Sequence, residues 1–248
     1  MNPALFSTLV LGLCIVLGII AVFISKNNEK IKLFTIGTAF SVIVLLAVLE
    51  IIPEAYSIAS EHFGVFGSVM HTAVCAAAGT AVLKLLDVFM PGHAHGDSEN
   101  YAHIGIMSSV AIIIHNIVEG ASVYAVFSSS RYLGIMLCVS IGLHNIPMGM
   151  MIASSLYSER NKKAKLIPMF FALSFSTFLG GLAVSLSSIS FSETLLAGTL
   201  LSVSAGMLAY IALFELLHEI HAHIKNRQTV CGLAAGIILF LCGIFIFG

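Results

Sequence analysis

Long apolar runs constrain this chain most, because a membrane-spanning α-helix needs about 20 consecutive and mostly apolar residues. Eight such windows fit along the 248 residues, at 5–25, 33–52, 66–90, 104–126, 133–157, 167–188, 194–217 and 230–247. Runs such as "AIIIHNIV" do not alternate in the way that a spanning β-strand does. The sequence therefore predicts an all-α integral membrane protein with eight transmembrane helices.

The composition agrees with a membrane protein and argues against several other classes. Charged residues make up 9 % of the chain, against about 25 % in soluble domains. The apolar runs leave no room for a separate soluble domain, so we expect one transmembrane domain over residues 1–248, with the first run retained as a span. A net charge of −1 offers no basic surface for nucleic acid. The catalytic motifs GxSxG and HExxH do not occur in the sequence, and no enzyme activity is expected.

Lysine and arginine are distributed unevenly between the loops that join the spans. Nine of the eleven lie in the first, fifth and seventh loops, Arg131 lies in the fourth, and Lys84 lies inside the third span. Because positively charged loops stay in the cytoplasm, the odd-numbered loops are expected inside and both termini outside. This orientation requires an even number of spans, in agreement with eight.

The third loop, 91–103, is cytoplasmic in this arrangement and reads "PGHAHGDSENYAH". Its His93, His95 and His103 are metal-capable side chains on a segment rich in turn-forming residues. They predict a loop that captures metal. A merely polar connector is the alternative, because a short histidine-rich tract is compositional information only.

Two spans carry related polar motifs, "HNIVEG" at 115–120 and "HNIPMG" at 144–149. Ionisable residues inside a span cost about 2.5–3.5 kcal/mol when central, and therefore indicate function. His115 and Glu119 are four residues apart and lie on one helix face, as do His144 and Met148. If the two helices pack with these faces inward, two imidazoles and a carboxylate meet in the membrane, a set that suits a borderline divalent cation.

A structural explanation of the two motifs also exists. Histidine and asparagine side chains hydrogen-bond neighbouring helices in lipid, so the motifs are also compatible with a role in helix association alone. Pro147 removes a backbone hydrogen bond and frees a carbonyl near residue 143, which either faces a cavity or belongs to an ordinary kink. The repetition of the motif and the presence of Glu119 favour a metal site.

Acidic residues near the ends of two other spans are candidates for a metal pathway. Glu50 and Glu54 lie at the predicted outer end of the second span, where they would attract cations. Glu215, His218 and Glu219 are expected to share a face at the cytoplasmic end of the seventh span, where they would carry a cation out. The alternative for both groups is a solvated helix end.

Several segments together resemble the ZIP metal transporters, with "LDVFMPGHAH" similar to the bacterial GufA-like branch. They are "LEIIPEA" in the second span, the histidine-bearing loop, "HNIVEG", "HNIPMG" and "AGMLAYIALFELLHE" in the seventh span. The resemblance covers nearly the whole chain and implies uptake of a divalent metal, chiefly zinc and often iron or manganese. It implies that His115, Glu119 and His144 bind the principal metal, with Asn116 and Asn145 at a neighbouring position.

Two departures from the family pattern bear on the number of metals. Similar members have glutamate where this chain has Met148, and many have a glutamate in the sixth span where "SFSTFLGG" offers only Thr177. Without these carboxylates, the second position is too weakly charged to hold a dication, so we predict a single-metal site. The Met148 thioether would favour softer ions over Mg²⁺ or Ca²⁺; apolar packing is its alternative role.

The sequence thus predicts a multi-pass plasma-membrane transporter that imports divalent transition metal, with zinc first and iron or manganese also admitted. No permanently bound cofactor is expected, and the partners are the metal, membrane lipid and a possible second copy of the chain. Two rival functions remain open: a membrane metal sensor that has lost transport, motivated by the missing carboxylates, and a redox protein that binds haem through His115 and His144.

Overall fold

Helices form all the regular secondary structure in the described part of the chain. A computed structural model describes residues 2–25, 29–89, 97–156, 163–187 and 194–247. Eight helices in these ranges are long and apolar enough to cross a membrane. The all-α and eight-span predictions are therefore confirmed.

The eight helices follow one another with short connections. They are α1 (Pro3–Ile24), α2 (Glu29–Leu46, continued through Ala47–Ile51 and Ile52–Ser60), α3 (Val65–Phe89), α4 (Asp97–Ser129), α5 (Arg131–Leu156), α6 (Lys163–Leu186), α7 (Thr194–Tyr210, continued through Ile211–Leu216 and Leu217–His223) and α8 (Arg227–Phe247). The middle parts of α2 and α7 are π-helical. Glu50 lies in the first π-helical segment and Glu215 in the second.

Two helix boundaries differ from the sequence-based expectation. The second span continues past Pro53 to Ser60, because Pro53 lies in the first turn of the α-helical segment after the π-helical one, where its missing N–H costs little. Helix α4 begins at Asp97, so the second half of the expected loop 91–103 is helical.

The helices pack as two groups of four. Helices α1, α4, α5 and α6 contact one another closely and form what we call the site bundle; α2 packs on α8, and α3 on α7, in the flanking bundle. The two bundles meet where α2 contacts α5 and where α7 contacts α4. Both histidine motifs therefore lie in the site bundle, next to this interface.

Glycines at the ends of the two motifs allow the site bundle to pack tightly. A Cβ atom on Gly120 of α4 would overlap the backbone carbonyl oxygen of Thr177 in α6, and one on Gly149 of α5 would overlap that of Ile15 in α1. Small residues permit this close approach of helices in lipid. The final glycine of each motif is thus a packing position, and it determines how α4 and α5 are placed.

Candidate metal site

The three predicted ligands meet between α4 and α5. Glu119 Oε1 lies 3.4 Å from His115 Nε2 and 3.2 Å from His144 Nε2. All three side chains are at most 3 % exposed. Among the described residues, they form the group of histidine, cysteine and acidic side chains whose ligand atoms lie close enough to hold one metal ion, all within 4.8 Å of one another.

The spacing of these atoms matches a tetrahedral metal site. Zinc bonds of about 2.0–2.1 Å to nitrogen and oxygen place neighbouring ligand atoms about 3.3–3.4 Å apart. The two measured separations, 3.4 and 3.2 Å, agree with this value. Glu119 Oε1 lies near both Nε2 atoms, but neither nitrogen makes a hydrogen bond of good geometry with a described residue. A lone pair on each of these two nitrogens can therefore be directed at a cation, which leaves a fourth position for water or another ligand.

The asparagines of the motifs bind neighbouring helices. Asn116 donates from Nδ2 to the Leu173 carbonyl of α6 (3.5 Å), and Asn145 donates to the Leu11 carbonyl of α1 (3.2 Å). The side-chain oxygens of both residues are buried and have no hydrogen-bonding partner in the described part of the chain. Each motif therefore uses its histidine for the site and its asparagine and glycine for helix packing.

Met148 takes the place in α5 that Glu119 takes in α4. It is fully buried and belongs to the main apolar core of the protein. Packing of its side chain in this core is therefore observed, whereas ligation through its sulfur stays a prediction.

Sequence reasoning missed a serine next to the site. Ser204 of α7 lies with its Oγ 2.7 Å from His115 Nδ1, and both residues are buried. The segment "SVSAGMLA" around Ser204 had indicated only close helix packing. Its serines fall on different sides of the helix, and only the tertiary contact distinguishes Ser204 from its neighbour Ser202.

A cavity connects the site to one end of the bundle. It has a volume of about 580 Å³, and its walls include Glu119, His144 and Ser204 at one end and Glu50 and Glu54 at the other. None of the described residues that line it is lysine or arginine. The mouth lies where α2 and α8 end and α5 begins, which is the predicted outer side. Glu50 and Glu54 thus line the same cavity as Glu119 and His144, and their role as inlet residues stays a prediction.

At the opposite end, the described side chains close over the site. Ile15 and Val22 of α1 pack in the same core as Ile152 and Leu156 of α5, and each is at most 2 % exposed. The Thr35 and Ser154 hydroxyl oxygens, 2.6 Å apart, connect α2 to α5 in this region. Among the described residues, the cavity therefore reaches the site from the side of Glu50 and Glu54.

The expected exit residues do not share one face. Glu215 and Glu219 are buried, whereas His218 is exposed. The π-helical segment Ile211–Leu216 explains the difference, because its wider turn shifts the phase of the residues that follow. Glu219 contacts His223, with Oε2 3.5 Å from Nδ1.

The structure describes only one of the three loop histidines. His93 and His95 are outside the described residues, and His103 is in the first turns of α4. Capture of metal by these three histidines stays a prediction.

Comparison with known proteins shows which family the chain resembles. The model of the ZIP Zinc transporter family matches residues 92–247, more than half of the chain. The chain is 28 % identical to the zinc transporter ZupT of Chlorobaculum parvum, over 97 % of this chain and 96 % of that protein. It is 29 % identical to the ZupT of Stenotrophomonas maltophilia, over 94 % and 91 %. With the ZupT of Streptococcus mutans it shares 25 % identity over the full length of both.

Eight spans around a buried group of metal-capable side chains define a multi-pass membrane protein, and an arrangement of this kind is typical of a metal transporter. The family match makes this class definite. The chain belongs to the ZIP zinc transporter family, and its transport of a divalent metal cation follows from that membership. The resemblance found in the sequence, the membrane location and the absence of enzyme activity are thereby confirmed.

Proposed function

We propose that the protein imports divalent transition metal, zinc first, through a single-metal site formed by His115, Glu119 and His144. The observation that carries this proposal is the separation of 3.2–3.4 Å between Glu119 Oε1 and the two imidazole nitrogens. Two neutral imidazoles and one carboxylate leave a bound dication with a net positive charge. Such a site favours release, which transport requires. The near full-length ZupT relatives support zinc as the first substrate.

A single metal follows from the chemistry of the neighbouring position. The oxygens that the family resemblance assigns to that position are Asn116 Oδ1, Asn145 Oδ1 and Thr177 Oγ1, which are buried and neutral. A second dication would depend on Glu119 alone for negative charge, and burial of a poorly neutralised ion is costly. Zinc binding to the purified protein should therefore saturate at one ion per chain, measured by equilibrium dialysis and elemental analysis.

Inward transport follows from the orientation predicted by the loop charges. This orientation puts Glu50, Glu54 and the cavity mouth outside and the closed end of the site in the cytoplasm. Transport then requires alternating exposure of the site to the two sides, with helices moving around it. Fe²⁺ and Mn²⁺ fit the same three ligands, and the Met148 thioether would favour the softer of them.

The haem alternative has a geometric difficulty. Glu119 Oε1 lies 3.4 Å from His115 Nε2 and 3.2 Å from His144 Nε2. A haem bound by both histidines needs room for its ring around the iron, and a carboxylate oxygen this close to both nitrogens stands beside the iron position, where the ring would extend. The geometry therefore favours a small cation.

Uptake into proteoliposomes tests the proposal. We expect saturable uptake of Zn²⁺ by the native chain and its loss in His115→Ala, with Fe²⁺ and Mn²⁺ taken up less efficiently. Glu61→Ala is a matched control, because Glu61 is exposed and does not line the cavity. Binding of one zinc per chain without any uptake would support the sensor instead, and no binding would contradict both.

A further inference from the structure

Ser204 is the described side chain that holds one of the metal-binding histidines. Its Oγ is 2.7 Å from His115 Nδ1, a short distance for a hydrogen bond involving a ring nitrogen. Both side chains are buried, with at most 1 % of their surface exposed. Ser204 belongs to α7 of the flanking bundle, and His115 belongs to the site bundle. The hydrogen bond therefore crosses the interface between the two bundles.

The position of this bond on the ring decides which nitrogen can bind metal. A neutral imidazole has one N–H and one lone pair. His115 Nε2 is the nitrogen next to Glu119, at 3.4 Å. When Nε2 binds a cation, the proton must be on Nδ1, and Nδ1–H then donates to Ser204 Oγ. Partners of this kind orient metal-binding histidines and raise their affinity for the ion.

The backbone around Ser204 is itself held in place. Gly206, two residues further along α7, packs so closely on Ala76 of α3 that a Cβ atom there would overlap the Ala76 carbonyl oxygen. The Thr80 hydroxyl of α3 also donates to the Gly206 carbonyl at 2.9 Å. These contacts fix this part of α7 against α3. Ser204 is therefore a rigid support for the His115 ring.

His144 has no comparable support in the described part of the chain. Its Nε2 lies 3.2 Å from Glu119, and its other ring nitrogen, Nδ1, is buried without a hydrogen-bonding partner, whereas the same nitrogen of His115 contacts Ser204. The two histidines thus differ in how strongly their rings are oriented before metal arrives. A site with one oriented and one adjustable imidazole depends on the oriented one for its geometry.

We propose that Ser204 is a positioning residue that holds His115 with Nε2 toward the transported metal and so connects α7 to the metal site. The inference rests on the proposed function for the identity of the ligands. It adds a residue from the flanking bundle to the determinants of metal affinity.

Three variants test this role: Ser204→Ala, Ser204→Thr and Ser202→Ala. Ser202 is a matched control, because it is buried on the same helix and its hydroxyl donates to the Gly198 carbonyl, away from the site. We expect Ser204→Ala to weaken Zn²⁺ binding about 10–100-fold, the range for loss of such a partner. Ser204→Thr retains the hydroxyl and should restore most of the affinity, whereas Ser202→Ala should bind as the native chain does.

Two spectroscopic measurements separate positioning from general damage. The visible spectrum of bound Co²⁺ should change in Ser204→Ala and recover in Ser204→Thr. In metal-free protein, the ¹⁵N resonance of His115 Nδ1, identified with His115→Ala, should shift in Ser204→Ala and stay in place in Ser202→Ala.

The outcomes distinguish this inference from the function on which it rests. Native affinity for zinc in Ser204→Ala would overturn the role of Ser204 and leave the metal site intact. Weaker binding with an unchanged Nδ1 resonance would also overturn it, since the loss would then be structural. A native chain that binds no zinc would overturn both proposals.

Discussion

The two histidine motifs occupy equivalent places in α4 and α5 but form unequal halves of the site. In the α4 half, His115 is hydrogen-bonded by Ser204 and lies 3.4 Å from Glu119 in the next turn. In the α5 half, His144 Nε2 lies 3.2 Å from the same Glu119, but its Nδ1 has no hydrogen-bonding partner among the described residues, and Met148 stands where α4 has the acidic residue. The packing positions of the two motifs are nevertheless alike. Both halves therefore have the same asparagine and glycine packing positions, which we call the shared frame. Only the α4 half has a carboxylate and a histidine oriented by a residue of another helix.

Substitution of the glycines in the shared frame should have the largest effect, a loss of folded protein. Gly120→Ala and Gly149→Ala should each reduce the amount of folded protein severely, because the added methyl group overlaps a backbone carbonyl in α6 or α1. Gly142→Ala is the matched control, since its Cβ would meet the Cys14 side chain at 3.3 Å instead of backbone. Detergent-solubilised yield and thermal stability measure the effect. If only one of these two substitutions reduced the yield, the α4 and α5 motifs would differ in their packing positions as well as in their ligands.

Loss of the charge in the α4 half should have the next largest effect. Glu119→Ala leaves two neutral imidazoles for a dication in a buried site, where a poorly neutralised charge is strongly disfavoured. We expect zinc uptake to fall to the level of empty liposomes, while Glu61→Ala keeps native uptake. Uptake by Glu119→Ala at a substantial rate would mean that the ion binds elsewhere.

The two histidines should differ in the size of their effect. His115→Ala removes the oriented ligand and should weaken zinc binding more than His144→Ala, which removes the adjustable one. The His115→Ala loss should also exceed the roughly 10–100-fold typical of losing an outer-shell partner. Isothermal titration of zinc into the two variants in parallel measures the difference. Equal losses would remove the distinction between the two halves.

Substitutions at position 148 test the α5 half, which lacks an acidic residue. Met148→Glu restores the missing carboxylate and should tighten metal binding, slow turnover and move preference toward harder ions such as Mn²⁺. Met148→Leu keeps apolar volume and should cost less than about 1.5 kcal/mol of stability. Uptake rates for Zn²⁺ and Mn²⁺ in both variants are the measurement. Reduced zinc affinity in stably folded Met148→Leu would indicate ligation by the thioether.

The cavity mouth should show the smallest effect, because its carboxylates act at a distance. Glu50→Gln and Glu54→Gln should raise the KM for zinc severalfold with little change in the maximal rate, and the difference should shrink as salt is added. Glu61→Gln should leave both parameters unchanged. A change in maximal rate at constant KM would place these residues in a later step than capture.

The sequence was sufficient for the spans and for the meeting of the three central side chains, whose role as metal ligands stays a prediction. Hydropathy over about 20 residues identifies spans, and the i,i+4 relation of His115 and Glu119 places them on one face without reference to the rest of the fold. The role of the asparagines was not decided by the pattern, because donation to the Leu173 and Leu11 carbonyls depends on which helices are neighbours.

The same limit applies to the π-helical segments and to Ser204. An α-helical period put Glu215, His218 and Glu219 on one face, and the wider turn at Ile211–Leu216 exposes His218 instead. Ser204 becomes informative only through its contact with His115. Residues that act through a neighbour on another helix carry no local signal in a single sequence.

Within each motif, the residues that hold the helices together are different from the residues that face the metal site. Asn116 and Gly120, like Asn145 and Gly149, are committed to neighbouring backbone and have little freedom to vary. In the described part of the chain, the side chains of His144 and Met148 are not bound to neighbouring backbone in this way, and Met148 packs in the apolar core, where side chains of similar volume are tolerated. A site organised in this way can acquire a new ion preference by one or two substitutions while its helices keep their arrangement, and an engineer seeking altered selectivity should begin at those two positions.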